Sequence, residues 1–284
     1  MIVHESEEKE ERVRTWGLDM STSANDTGLV SIDWEERVAT VTHRPRPTRS
    51  LILALLRETA RTEWWAVDVP FGWPVGFGEW LTDHARGPAC MAAGRIEIDA
   101  PVWAPLARRR TDRVVCKRLG KQLGFSVSFD KLGATAAAWA AIELSQGISP
   151  LLFDRAGMLN PDGVVAREGR VVETWPSAAW TLFTDLPTGV VLSPATASDE
   201  AFMGPLGPVL EIGPELREIL APGDDASRGA RARAGHVRDA IVCAMVARSR
   251  AFGRTEGPEP EDASAAEREG WIHLPKTTGL THLW

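Results

Sequence analysis

Three short apolar runs open the chain, at residues 15–20, 28–33 and 38–42. A Ser/Thr/Asn/Asp cluster at 21–27 separates the first two, and Trp34-Glu35-Glu36-Arg37 forms a tight connection to the third. Strand-length runs joined by turn-forming residues predict an antiparallel three-strand meander. Arg44-Pro45-Arg46-Pro47 breaks the pattern, after which Leu51, Leu55 and Leu56 fall on one helical face. That spacing predicts a helix over 51–61, capped by Thr48 or Ser50. Residues 64–69 form an apolar run that ends at Pro70. A helix joins this run to the meander, so the strand it predicts is expected to lie parallel to the first.

The later chain alternates in the same way. Residues 72–130 are rich in Gly, Pro and Arg and read as a lid-like insertion with a short helix after Thr111. Residues 132–146 are Ala-rich and stop at Gly147, which predicts a helix with a glycine terminator. Residues 171–175 predict a strand, and Pro176-Ser177 opens a helix through 184. Residues 193–228 read as loop, 231–252 as the longest helix, 257–269 as an acidic linker and 270–275 as a strand-like segment. The polar start, 1–13, reads as a disordered acidic tail, which leaves 14–284 as one domain. Antiparallel and parallel strands mixed in one sheet, with helices on both faces, give an α/β fold.

Composition narrows the function. Hydrophobic residues at 44% and charged residues at 25% suit a soluble globular enzyme. The net charge of −7 does not attract nucleic acid in bulk, so a polyanion contact needs a local basic patch. Cys90, Cys116 and Cys243 form no C-x-x-C, which argues against a disulfide framework and a cysteine-based zinc site. The first residues lack the apolar core of a signal peptide, and no apolar run reaches membrane length. The expectation is a cytoplasmic protein without membrane contact; the sequence does not specify an oligomeric state.

Four acidic residues interrupt apolar segments. Asp19 follows Trp16-Gly17-Leu18, and Asp68 follows Trp65-Ala66-Val67. Glu173 follows Val171-Val172, and Asp239 heads the apolar run 240–246. Buried carboxylates are costly unless paired, hydrogen-bonded or bound to a metal. Three of the four end predicted strands, where ligand chemistry gathers in α/β sheets. Asp239 shares a helical face with Val242, Cys243 and Val246, so it is expected to point inward. Hard oxygen donors suit Mg²⁺ or Mn²⁺, and two such ions can serve phosphodiester hydrolysis. Each residue also has a structural alternative. Asp19 can cap the 21–27 turn, Asp68 can accept from backbone amides, Asp239 can pair with Arg238 or Arg231, and Glu173 can meet an arginine of the insertion.

The ordered motifs Gly17-Leu18-Asp19, Val67-Asp68-Val69-Pro70-Phe71-Gly72-Trp73-Pro74, Arg109-Arg110-Thr111-Asp112-Arg113, Glu173-Thr174-Trp175-Pro176-Ser177, Arg238-Asp239-Ala240 and Glu269-Gly270-Trp271-Ile272 together resemble one family. It is the domain of unknown function 429 family, described as predicted nucleases of the ribonuclease H-like fold. The resemblance implies a ribonuclease H-like core related to Holliday-junction resolvases, with nucleic acid as substrate. It makes Asp19 the first-strand carboxylate that bridges metals, with Asp68, Glu173 and Asp239 completing a catalytic, metal-binding set. Arg109, Arg110 and Arg113 fit phosphate binding, since the guanidinium fork matches phosphate oxygens. In the alternative, Asp112 pairs within that motif and the arginines hold the insertion down. His236, three residues before Asp239, is an auxiliary candidate for proton transfer. Trp73, Trp103 and Trp175 can stack bases or pack in the core.

Two other function classes remain open at this point. An ATP-binding phosphotransferase of the actin-like or sugar-kinase core would also use strand-end aspartates, although 21–28 is only loosely similar to a phosphate turn. A non-catalytic binding module would keep the fold and use its acidic residues structurally.

Overall fold

The structure, a computed structural model, describes residues 13–36, 38–86, 104–121, 126–130, 132–155, 169–187, 190–223 and 225–284. The meander forms as the apolar runs predict: β1 (Val13–Asp19), β2 (Gly28–Trp34) and β3 (Ala39–His43). Helix α1 (Arg49–Thr59) starts where the Thr48 hydroxyl accepts from the Leu51 amide, and β4 (Trp64–Asp68) follows. Next come α2 (Val75–Arg86), α3 (Ala104–Ala107), α4 (Arg110–Arg118) and α5 (Leu132–Glu143). Two short strands, β5 (Phe153–Asp154) and β6 (Val171–Glu173), precede α6 (Pro176–Phe183). The chain then forms α7 (Asp199–Leu206), β7 (Leu210–Glu211), α8 (Pro214–Leu220), α9 (Arg228–Ala251) and α10 (Ala263–Glu269).

The seven strands among the described residues make one mixed sheet in the order β5-β6-β4-β1-β2-β3-β7. β1–β2 and β2–β3 pair antiparallel; β4 lies parallel to β1, and β6 parallel to β4. The architecture expected from the apolar pattern is therefore present: an α/β fold with both strand directions in one sheet and helices on both faces.

Side-chain alternation divides the core. Trp16, Leu18, Trp65, Val67 and Val171 face α1 and α5, where Ile52, Leu56, Trp139 and Ile142 cover them. Val30, Ile32, Ala66 and Val172 face α9 through Val237, Ala240, Ile241 and Ala244. Residues 240–250 of α9 are all buried, so this helix lies between the sheet and further elements.

Two glycines let α9 approach. A Cβ at Gly17 would lie 1.9 Å from the Ala240 carbonyl oxygen, and one at Gly28 would lie 2.1 Å from the His236 carbonyl oxygen. Any side chain at either position would push the helix off the sheet. The close approach sets His236 and Asp239 down over the end of β1.

The expected insertion also holds α2 and α3, and two further segments differ from expectation. Residues 193–228 are not loop: Ser198 caps α7 by accepting from the Ala201 amide, and Pro214 opens α8 at its first turn. The expected linker at 257–269 contains α10. The tail expected at 1–13 lies outside the described residues except Val13, which already belongs to β1. Of the expected insertion, 87–103 also lie outside them, and Trp103 with them.

Candidate functional site

Asp19 and Asp68 are the last residues of β1 and β4, and their Cα atoms are partners in the parallel register. Paired residues of neighbouring strands project to the same face. Both aspartates therefore lie on the α9 side, with Gly17 and Ala66 one step below. Asp239, near the middle of α9, faces them from above. His236 lies one turn earlier, and its Nδ1 is 2.6 Å from Asp19 Oδ2.

The electrostatics of this group are only partly compensated, by His236 and a backbone amide. Burial, followed by the charges of Asp19, Asp239 and Glu173, raises the Asp68 carboxyl well above its ordinary value. Burial and then the Asp19 charge do the same to Asp239, opposed by His236 and the Ala195 amide. Asp19 is also raised by burial, with His236 opposing. His236 moves upward, held first by its hydrogen bond to Asp19. Asp239 Oδ1 is buried without a hydrogen-bond partner. Beneath the group, the buried Cys243 thiol is pushed up by desolvation and by the charges of Asp68, Asp19 and Asp239.

Glu173 lies elsewhere. In the β4–β6 register it pairs with Val67, not with Asp68. It therefore projects to the α1 and α5 face, opposite the aspartates. There Arg109 Nη2 donates to Oε1 at 2.6 Å and Nη1 to Oε2 at 2.8 Å. The Phe71 amide donates to Oε2 at 2.9 Å. Both carboxylate oxygens are occupied, which corrects the sequence-based place of Glu173 among metal ligands. The structural alternative, an arginine from the insertion, is what the geometry shows.

The same cluster corrects the expectation for the arginine motif. Arg109 is buried, 2% exposed, and also donates to Asp112 Oδ1 at 2.9 Å and to the Glu269 carbonyl at 3.1 Å. Against desolvation, Asp112 and Glu173 hold its guanidinium above the ordinary value. No face of it remains for a phosphate. Arg110 Nε contacts Asp262 Oδ1 at 2.5 Å, and Arg113 Nη1 donates to the Arg108 carbonyl at 3.0 Å. Asp112 is the internal partner of Arg109, not an auxiliary of the aspartates.

Sequence reasoning missed the acceptor that completes this clamp. Glu269 Oε1 takes the Val75 amide at 2.9 Å, and Oε2 takes the Arg110 amide at 2.5 Å. Thr111 Oγ1 takes the Ile272 amide at 2.9 Å. The clamp thus joins the starts of α2 and α4 to the end of β6 and to α10. Four of the ordered motifs meet in it. Their order along the chain was the available signal, but it did not say that they hold one another.

The turn at 21–27 satisfies itself: Thr27 Oγ1 donates to the Ser23 carbonyl at 2.8 Å and accepts from the Ser21 amide at 3.1 Å. Trp175 is partly buried against the α9-side core, with Lys121 Nζ 5.9 Å from its ring centre.

A family model described as "Protein of unknown function (DUF429)" matches residues 17–263. The chain belongs to the DUF429 family. The matched span takes in Asp19, Asp68, Arg109, Glu173 and Asp239, and stops short of Glu269. No curated protein and no solved structure matches the chain. The DUF429 assignment therefore names kin without naming a reaction. Among the described residues, no helix is long and apolar enough to cross a membrane.

Whether a divalent cation suits this DUF429 chain is decided by the donors. Among the described residues, no three His, Cys, Asp or Glu side chains are already grouped closely enough to hold an ion. The three aspartates share a neighbourhood and a mutual repulsion, not a formed cage. Their oxygens are nevertheless the hard donors that Mg²⁺ and Mn²⁺ prefer, and those ions need few carboxylates. Asp239 Oδ1 is an acceptor lacking a donor. The donor chemistry of Asp19, Asp68 and Asp239 suits a cation although their side chains do not form a ligand cage here, whereas both oxygens of Glu173 are already engaged.

Proposed function

We propose that this chain is a Mg²⁺- or Mn²⁺-dependent phosphodiesterase acting on nucleic acid, with Asp19, Asp68 and Asp239 holding the cation. One observation carries the reading. Two carboxylates end adjacent parallel strands in register, and a third, with a buried unpartnered oxygen, faces them from α9. The sheet order supports a ribonuclease H-like core, with a three-strand meander extended past β1 by parallel β4 and β6. In that reading the carboxylates gather at the ends of the central strands under the longest helix.

When bound, such a cation would polarise a phosphoryl oxygen and lower the pKa of a water. The chain's own residues orient and hold protons. His236 fixes Asp19 through Nδ1, and the bond raises the basicity of the ring. That bond favours the protonated imidazole, which suits the ring to proton transfer near a bound phosphate. Gly17 and Gly28 keep α9 close enough for Asp239 to reach the group.

The test is cleavage of labelled single-stranded, duplex and branched DNA and RNA in the presence of Mn²⁺. Asp19→Asn should lower the rate by at least ~100-fold, equivalent to about 2.7 kcal/mol of transition-state stabilisation. Failure of the unmodified protein on every substrate, or equal rates for the two proteins, overturns the reading.

A further inference from the structure

The protein is acidic overall, yet several stretches carry no Asp or Glu, and two of these are rich in arginine. Residues 37–57 contain five arginines, and residues 226–238 contain four. They are distant in sequence and meet in the fold. The charge of Arg233 reaches His43, whose imidazole is lowered first by burial and then by that arginine. The Arg44 amide donates to the Leu29 carbonyl at 2.9 Å, one residue from Gly28, on which the His236 backbone rests. Arg44, Arg46, Arg49, Arg228 and Arg233 are all exposed.

We propose that these arginines form one rim that seats the phosphate backbone of a nucleic-acid strand leading into the aspartate group. The proposal rests on the phosphodiesterase reading and adds the surface that would recognise its substrate. Arg233, His236 and Asp239 follow one another at i, i+3 and i+6 along α9, from exposed arginine to inward carboxylate. Arg233 thus lies about 9 Å along the helix axis from Asp239, near enough for one strand to reach both. Arginine suits the task because its planar fork binds phosphate oxygens in pairs.

The backbone gives a separate sign. Arg46, between Pro45 and Pro47, has φ of 49°, a left-handed conformation that non-glycine residues seldom adopt. Such strain concentrates at binding and catalytic sites, where the fold holds a side chain in a fixed place. A strand is favoured over a single nucleotide because the cations span two elements instead of converging on one point. The 21–27 turn also closes on itself.

The experiment uses the full chain carrying Asp19→Asn, without divalent cation, and a labelled single-stranded oligonucleotide followed by fluorescence anisotropy. Arg44→Glu with Arg233→Glu should weaken binding by at least ~10-fold. The slope of log K against log salt should become shallower by roughly one for each arginine that no longer neutralises a phosphate. Arg46→Glu with Arg228→Glu should act in the same direction. All four side chains are exposed, so thermal melting and the circular dichroism spectrum should stay unchanged. Unaltered affinity and salt slope in both double variants would overturn the rim, as would competition by polyglutamate equal to that by unlabelled oligonucleotide. Cleavage by the unmodified protein is scored separately. Normal binding by the rim variants beside active cleavage removes the rim and leaves the phosphodiesterase. Rim-dependent binding by a chain that never cleaves removes the phosphodiesterase and leaves the rim.

Discussion

Asp68 and Glu173 end neighbouring parallel strands and burial raises both carboxyls, but only Glu173 has an arginine set against it. Glu173 faces the α1 side and is held by a bidentate arginine and a backbone amide. Asp68 faces the α9 side, where the charges around it are those of other carboxylates. A single residue of register separates the two, because alternate positions of a strand project to opposite faces. Compensation is what distinguishes the regions. A buried acid with a matched cation is part of the scaffold, whereas the aspartate group, matched only by His236 at Asp19, is where we propose a cation binds.

The contrast is broken most strongly at Arg109. Arg109→Ala would leave Glu173 and Asp112 without their partner, one of them fully enclosed. We expect a loss of about 3–5 kcal/mol, as when one member of a buried pair is removed. Urea unfolding measures it, and a loss within the error of the method would show that the clamp contributes little.

The clamped side should also weaken in acid. The His273 amide donates to the Glu173 carbonyl at 2.8 Å, and burial pushes its imidazole down to about 4. A histidine lowered in the folded state contributes stability that is full above the unfolded value near 6.5 and is lost as pH falls toward the folded value. The loss between those limits is roughly 3 kcal/mol at most. Melting temperatures from pH 7 to pH 4 should fall more steeply for the unmodified protein than for His273→Gln. Parallel profiles would contradict the assignment.

The aspartate side carries the opposite sign and the smallest effect. Asp68 is raised in the folded state, so its contribution is full below the unfolded value and is lost as pH climbs through the folded one. Metal-free Asp68→Asn should therefore gain stability at pH 7, by about 1 kcal/mol. The gain should vanish near pH 4, where the unmodified carboxyl holds its proton. A variant less stable than the unmodified chain at pH 7 would place Asp68 among compensated residues.

How much of this was legible in the sequence follows the same divide. The central strands and α9 were readable because apolar runs and helical spacing report burial directly. Asp19, Asp68 and Asp239 were readable as acids inside such runs. The face on which Glu173 projects was not, because β6 is three residues long and its register depends on pairing with β4. The Gly-Pro pairs near 204–214 look like breakers, yet Pro205 lies inside α7 and Pro214 starts α8. Proline at a first turn loses no helical hydrogen bond, so the same residue ends one helix and begins another. The acidic stretch before Glu269 hid α10 in a similar way, although Ala263, Ala265 and Ala266 favour helix.

The most direct measurement is anomalous diffraction from crystals of the protein soaked in Mn²⁺. The account predicts manganese bound by carboxylate oxygens of Asp19, Asp68 and Asp239, with the Arg109–Glu173 pair intact. Manganese held by Glu173, or none at the aspartates under saturating soak, would contradict it.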